Sequence, residues 1–321
     1  MARFLAMLTL LSTRSSRTTA SFLLQRPTRC FRRNFFDLFR GGAAAETTDL
    51  AASRSHPRLL HERYPVSVSS IQGMRKYMED EFTIHENFVG VFDGHGGAAI
   101  SQYLRLNLYG LLLQSSNSAT SSDHQAMAAL RTTLAQLDEQ VCRIQHWSFQ
   151  GSTVVAVWFV TPTRLVVAGI GDSRAIVASH DGDVEHVLQL TRDHRPDCPD
   201  EIDRIESLGG SVISVHGVPR VNGNLALSRA VGDRSERPAV SGEPDMAIYD
   251  IQEGKDEFVI LGTDGLFDVM SNEECVEFVH GLIEEHDTNG DQREYFASLL
   301  VEEALRRGSY DNITVVIVWL Q

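Results

Sequence analysis

Hydrophobic positions along the chain follow two rhythms. Val66-Ser67-Val68 alternates with the two-residue period of a strand, and the apolar run Phe88 to Phe92 is too short for a helix. Residues 98–113 then carry Leu and Tyr at three-to-four spacing and predict an amphipathic helix, and 123–146 predict a second one entered through Ser and Asp caps. From Ser152 the β-branched runs 153–160 and 165–170 read as a hairpin turning at Thr161-Pro162-Thr163. Gly171-Asp172-Ser173-Arg174 then leads into a strand over 175–178. A polar helix is expected around 197–210, and 211–232, punctuated by glycine, reads as irregular. A strand over 258–262 ends in Thr263-Asp264-Gly265. Helices over 272–285 and 292–307 and a last strand over 313–319 complete the pattern. Strands outnumber helices and adjoin through turns, which predicts an α+β fold of antiparallel sheets flanked by helices and not a βαβ series.

Composition sharpens this picture at the N-terminus. Residues 1–40 hold eight Arg against one acid, Asp37, with Phe and Leu at helix-like intervals; this +7, in a chain of net charge −14, leaves −21 on the remainder. Such a leader has the make-up of a mitochondrial transit peptide, with a plastid address or a secretory signal ranked behind it. Residues 41–63, rich in small and polar side chains, are expected to be a linker, and 64–321 the folded domain. The acidic body repels nucleic acid, no stretch is apolar enough to predict a membrane span, and a monomer is expected. Cys142, Cys198 and Cys275 are widely spaced and form no disulfide framework, which suits a reducing compartment.

Candidate chemistry gathers at strand ends. The run Val89-Gly90-Val91-Phe92-Asp93-Gly94-His95-Gly96-Gly97 stops a strand abruptly in an acid, a histidine and three glycines, so Asp93 and His95 are expected on an exposed rim. Glu79 with Asp80, Asp264 with Asp268, and Asp311 repeat the placement. Alone, each is a solvated turn carboxylate. Brought together they would repel unless a cation held them, and all-oxygen donors select Mg²⁺ or Mn²⁺ over zinc. Two such ions would ready a water and neutralise a phosphoryl group, Arg75 offers a fork to phosphate oxygens, and His95 suits protonation of a leaving alkoxide. These residues leave open a two-metal hydrolase of small phosphoesters or nucleotides.

The residues in order resemble the metal-dependent protein serine/threonine phosphatases of the type 2C, or PPM, family. The motifs are Arg75-x-x-Met78-Glu79-Asp80, Val91 to Gly97, Gly151-Ser152-Thr153, Gly171 to Arg174, Asn224 to Asp233, Thr263 to Asp268, and Asp311-Asn312-Ile313-Thr314. The resemblance implies a four-layer α-β-β-α sandwich with metals held at one end between two antiparallel sheets. It implies hydrolysis of phosphoserine or phosphothreonine in protein substrates by water that two Mg²⁺ or Mn²⁺ ions activate. Asp93 would bridge both ions, Asp264 and Asp311 would complete one, and the Gly94 carbonyl the other. Glu79 and Asp80 would hold the second ion's waters, Arg75 would bind phosphate and His95 would act as general acid. Asp172, with Asp264 and Asp268, would form a weaker third-metal site. Residues between Arg192 and Asp233 correspond to a flap beside the active site, and Phe267 stands where many members carry Trp. A non-catalytic relative would have lost a metal acid, and none is lost here. With the leader, the resemblance points to a phosphatase of the mitochondrial matrix.

Three further motifs carry little. Cys198 and Arg204 satisfy C-x5-R, but Pro199 removes a donor and Asp200, Glu201 and Asp203 would repel phosphate. Residues 287–291 hint at a calcium loop, but Gln292 occupies the required glycine position and Ser298 that of the closing acid. Asn312-Ile313-Thr314 matches a glycosylation acceptor at the start of an expected buried strand.

Overall fold

The structure, a computed structural model, describes residues 58–59, 63–116, 122–182, 184–286 and 292–321. The leader over 1–40, most of the linker over 41–63 and the loop 287–291 lie outside the described residues.

Strands are β1 (Arg58–Leu59), β2 (Tyr64–Ile71), β3 (Glu81–His85), β4 (Phe88–Phe92), β5 (Gly94–His95), β6 (Gly151–Ser152), β7 (Val154–Thr161), β8 (Arg164–Ile170), β9 (Arg174–Asp181), β10 (Val184–Gln189), β11 (Val212–Val215), β12 (Val218–Val221), β13 (Val231–Gly232), β14 (Asp245–Asp250), β15 (Asp256–Gly262) and β16 (Ile313–Trp319). Helices are α1 (Ala99–Ser115), α2 (Asp123–Cys142), α3 (Pro199–Ser207), α4 (Asp264–Phe267), α5 (Asn272–His286) and α6 (Phe296–Arg306). One antiparallel sheet has the order β1-β2-β16-β15-β9-β10 and the other β14-β8-β7-β4-β3.

Two-residue alternation builds the layers. Val89, Val91, Val155, Val157, Leu165 and Val167 of the second sheet pack against Val66, Val177, Val259, Leu261, Val316 and Val318 of the first, closing a core between the sheets. The intervening residues point the other way. Phe88, Phe92, Ala156 and Trp158 receive α1 and α2, and Ile176, Phe258, Ile260, Val315 and Ile317 receive α5 and α6. The result is the expected α-β-β-α sandwich, and it explains why β4 and β16 are buried at every position: both faces are covered. In α1, Ile100, Leu104, Leu108 and Leu112 form a single buried stripe at four-residue spacing.

The structure corrects the sequence reading at several elements. The predicted second helix ends at Cys142, four residues short, and Gln145–Trp147 forms a 3-10 turn instead. Arg293–Tyr295 is likewise a 3-10 turn, so α6 begins only at Phe296. The stretch read as irregular contains the β11–β12 hairpin, whose strands show little alternation because only Val221 among their eight residues is buried. Strands β3, β10 and β14 had no expectation; all three carry charged side chains and lie at sheet edges, where one flank of the backbone is unpaired.

Candidate active site

The alternation that fills the core also builds the site. Continued past the last valines, the inner-face positions become hydroxyls and then acids: Ser70, Thr153, Ser173, Thr263 and Thr314, followed by Asp80 and Asp93. The hydroxyls bond across the gap between sheets. Ser173 Oγ meets Thr153 Oγ1 at 2.7 Å, and Thr263 Oγ1 donates to Asp80 Oδ2 at 3.0 Å while accepting from the Thr314 amide at 3.1 Å. Thr153 also fixes Asp93 from both sides. Its Oγ1 accepts from the Asp93 amide at 3.0 Å and its amide donates to the Asp93 carbonyl at 2.9 Å.

Asp80, Asp93, Asp172, Asp264 and Asp311, drawn from sequence positions far apart, come within electrostatic reach of one another. Burial, with Asp264 and Asp311 adding and bonds from Thr314 and Thr263 opposing, raises the Asp80 carboxyl to about 7. Asp264 is raised to about 6 by burial, then by Asp311 and Asp268. Burial raises Asp93 well above the carboxylate range, and Asp80, Asp264, Asp172 and Asp311 push the same way. Asp172 is raised by burial and by Asp264, with Arg195 partly offsetting. Asp93 and His95 do not sit on an exposed rim: both are half-buried, and Gly94-His95 pairs with Gly151-Ser152 as β5 and β6.

The donor set suits a hard cation. Asp80 Oδ1 is buried without a hydrogen-bond partner, and Asp80 and Asp93 are raised above the usual carboxylate range by burial and by neighbouring acids, a setting that a bound cation would relieve. Among the described residues no three His, Cys, Asp or Glu side chains close into a ready-made ligand cage.

Each remaining sequence candidate has a defined place. The Arg75 guanidinium pairs with Asp311, and although burial works against its charge, Asp311, Asp264 and Asp93 together raise its pKa. Glu79 adjoins the cluster through its backbone: its amide donates to Asn312 Oδ1 at 2.8 Å, and its carbonyl accepts from Ser101 Oγ at 2.6 Å and from the Gly94 amide at 3.2 Å. A Cβ at Gly94 would stand 2.6 Å from that carbonyl, so only glycine fits. Asp268 binds Arg195 Nη2 at 2.8 Å, and Arg195 Nε lies 3.9 Å from Asp172, so a guanidinium stands between the two outer acids.

Two contributors escaped the sequence reading as site residues. Asp233, almost fully buried, meets His95 Nε2 at 2.7 Å; it closes the motif Val231-Gly232-Asp233, but nothing in the sequence pairs it with a histidine 138 positions earlier. Asn312 ties three segments, donating to the carbonyls of Gln72 at 2.7 Å and Tyr77 at 3.0 Å besides accepting from Glu79. Being 4% exposed with its amide engaged, it is no glycosylation acceptor. Cys198 caps α3, and Arg204 is bound by Glu201 and the carbonyls of Ser228 and Ala239, so no C-x5-R phosphate cradle exists.

The family model for protein phosphatase 2C matches residues 64–313. The chain belongs to the protein phosphatase 2C family. Relatives include the probable protein phosphatase 2C 24 of Arabidopsis thaliana, 34% identical over 79% of this chain and 78% of its own length. Protein phosphatase 1F of Mus musculus is 34% identical over 80% of this chain and 57% of its own length, so the chain spans little more than half of that relative. Among solved structures, a sex-determining protein of C. elegans superposes with a TM-score of 0.70 at 32% identity, covering 80% of this chain and 64% of that one. A serine-threonine phosphatase 2C from Toxoplasma gondii superposes with a TM-score of 0.66 at 26% identity, over 80% and 95% of the two chains. Protein phosphatase 2C members are enzymes that dephosphorylate proteins, and the acid cluster lies inside the matched region.

Proposed function

We propose that the chain is a Mg²⁺- or Mn²⁺-dependent phosphatase that hydrolyses phosphoserine and phosphothreonine in proteins, with Asp93 at the centre of its site. The carrying observation is the gathering of Asp80, Asp93, Asp264 and Asp311 at one end of the core, where Asp80, Asp93 and Asp264 are each raised by burial and by neighbouring carboxylates, an arrangement that bound positive charge would relieve. Asp93, Asp264, Asp311 and the Gly94 carbonyl would hold two divalent cations, with Glu79 and Asp80 bonding to their waters and Asp172 with Asp268 serving a weaker third. Cations bound there would supply Lewis-acid activation of water and neutralise charge on the phosphoryl group.

The chain's own residues do the rest. Arg75, more than half exposed, can leave Asp311 for phosphate oxygens and orient the ester. His95 Nε2 is committed to Asp233, so Nδ1 is the atom from which a proton would pass to the departing Ser or Thr oxygen. A phosphothreonine peptide and an aryl phosphate assayed with Mn²⁺, with EDTA, and with Asp93→Ala test the reading. Turnover is expected to require Mn²⁺ and to vanish in the variant; turnover that survives either change overturns it.

Residues 1–40 are proposed to direct the protein to the mitochondrial matrix, on their Arg-rich, nearly acid-free composition. A fusion of residues 1–60 to a fluorescent protein is expected to enter mitochondria. Entry into plastids or the secretory pathway overturns this.

A further inference from the structure

Large apolar side chains on this molecule are exposed in a particular place. Among the described residues, five are more than 60% exposed: Met74, Tyr77, Leu106, Phe149 and Tyr310 at 72, 63, 69, 78 and 73%. Four of the five border the acid cluster. Met74 and Tyr77 flank Arg75, and Tyr310 precedes Asp311. The Phe149 backbone packs on Gly96, the residue after His95: a Cβ on Gly96 would lie 2.3 Å from the Phe149 carbonyl.

These side chains project from held backbone. Asn312 grips the loop at both ends through the Gln72 and Tyr77 carbonyls, Gln72 Nε2 donates to the Arg75 carbonyl at 2.8 Å, and Gly73 packs directly on the Asp311 carbonyl. Large apolar side chains in water on a held backbone are costly to keep and make ready binding anchors, the aromatic ones losing little entropy when they are covered. Charge says what covers them. Arg75 and Lys76 lie in the same loop, with Lys76 Nζ 5.1 Å from the Tyr77 ring centroid, a cationic spot on a chain of net charge −14.

We propose that Met74, Tyr77, Tyr310 and Phe149 form an apolar rim that binds large apolar side chains flanking the phosphorylated residue in an extended segment of the protein substrate. The rim sets specificity and takes no part in the chemistry. This rests on the phosphatase reading above and adds the class of sequence it prefers.

Two phosphothreonine peptides of equal length and charge decide it, one with Leu and Phe on both sides of the phosphothreonine and one with Ser and Gly. The natural chain with Mn²⁺ is expected to favour the apolar-flanked peptide by about tenfold in kcat/KM, expressed mainly in KM. In the combined Met74→Ser, Tyr77→Ser, Tyr310→Ser variant, and separately in Phe149→Ser, that preference is expected to fall toward one. Because these side chains are largely in water, serine should be tolerated by the fold, which circular dichroism checks. A preference near one in the natural chain, or one unchanged in both variants, overturns the rim while leaving the phosphatase reading intact. Failure to cleave either peptide removes the phosphatase reading and the rim with it.

Discussion

At the scale of single residues, function depends on side chains whose neighbours fix them. Asp233, in the left-handed backbone region at φ +46° and nearly buried, holds one nitrogen of His95. Asp233→Asn is expected to lower kcat about 10²-fold with little change in KM, measured by steady-state hydrolysis of an aryl phosphate, because a displaced imidazole presents its proton poorly. Gly151→Ala should act similarly, since its Cβ would fall 2.0 Å from Asp233 Oδ2 and 2.4 Å from His95 Nε2. If neither variant alters kcat, His95 is not the proton donor. Asp93 and His95 stood out as candidates in the sequence because glycine-flanked polar residues at a strand end are unusual, and Arg75 by its spacing from Glu79, Asp80 and Asp93. Asp233 and Asn312 were not, because their partners are brought near only by folding.

At the scale of elements, the flap is fastened by a buried ionic network. Glu201 of α3 binds Arg204 Nη2 at 2.8 Å and Arg229 Nη2 at 2.7 Å, and Arg229 Nη1 reaches Asp245 of β14 at 3.0 Å. Although burial opposes it, Arg229 and Arg204 hold the Glu201 carboxyl down to about 2. Removing the acid leaves Arg204 without a carboxylate partner and Arg229 with Asp245 alone, so Glu201→Ala is expected to destabilise the fold by about 3 kcal/mol in urea denaturation at pH 7. A depressed carboxyl stabilises above its unfolded value near 4.5 and loses that contribution as pH falls toward 2, so the gap between natural chain and variant should close over that window. The polar helix here was visible from composition. The β11–β12 hairpin was not, because only Val221 of its eight strand residues is buried, so no core face imposes an apolar alternation on it.

At the scale of the whole molecule, two sheets whose shared core turns polar at one end keep several acids in a place where they repel. Asp80 at about 7 and Asp264 at about 6 bind protons more tightly folded than unfolded, where the carboxylate value is 3.8. Stability of the metal-free protein should therefore fall as pH rises from about 4 through 7. Mn²⁺ should raise Tm more at pH 7.5 than at pH 5, read by thermal unfolding with and without EDTA; an equal shift at both values would mean that the ion does not bind these acids. The sandwich core itself sets the remaining stability, and Ile317→Ala in the doubly covered β16 is expected to cost about 2–5 kcal/mol.

The amino-acid sequence by itself determined the class of the fold, the apolar central strands and the acids that end them. Alternation and helical spacing are local properties, and buried strands and stripes must display them. Tertiary structure decided which acids share one electrostatic environment, that His95 leans on Asp233, and that Arg195 stands between Asp172 and Asp268. Those relations join residues tens to hundreds of positions apart, and only the pairing of strands and the stacking of two sheets sets the distances between them.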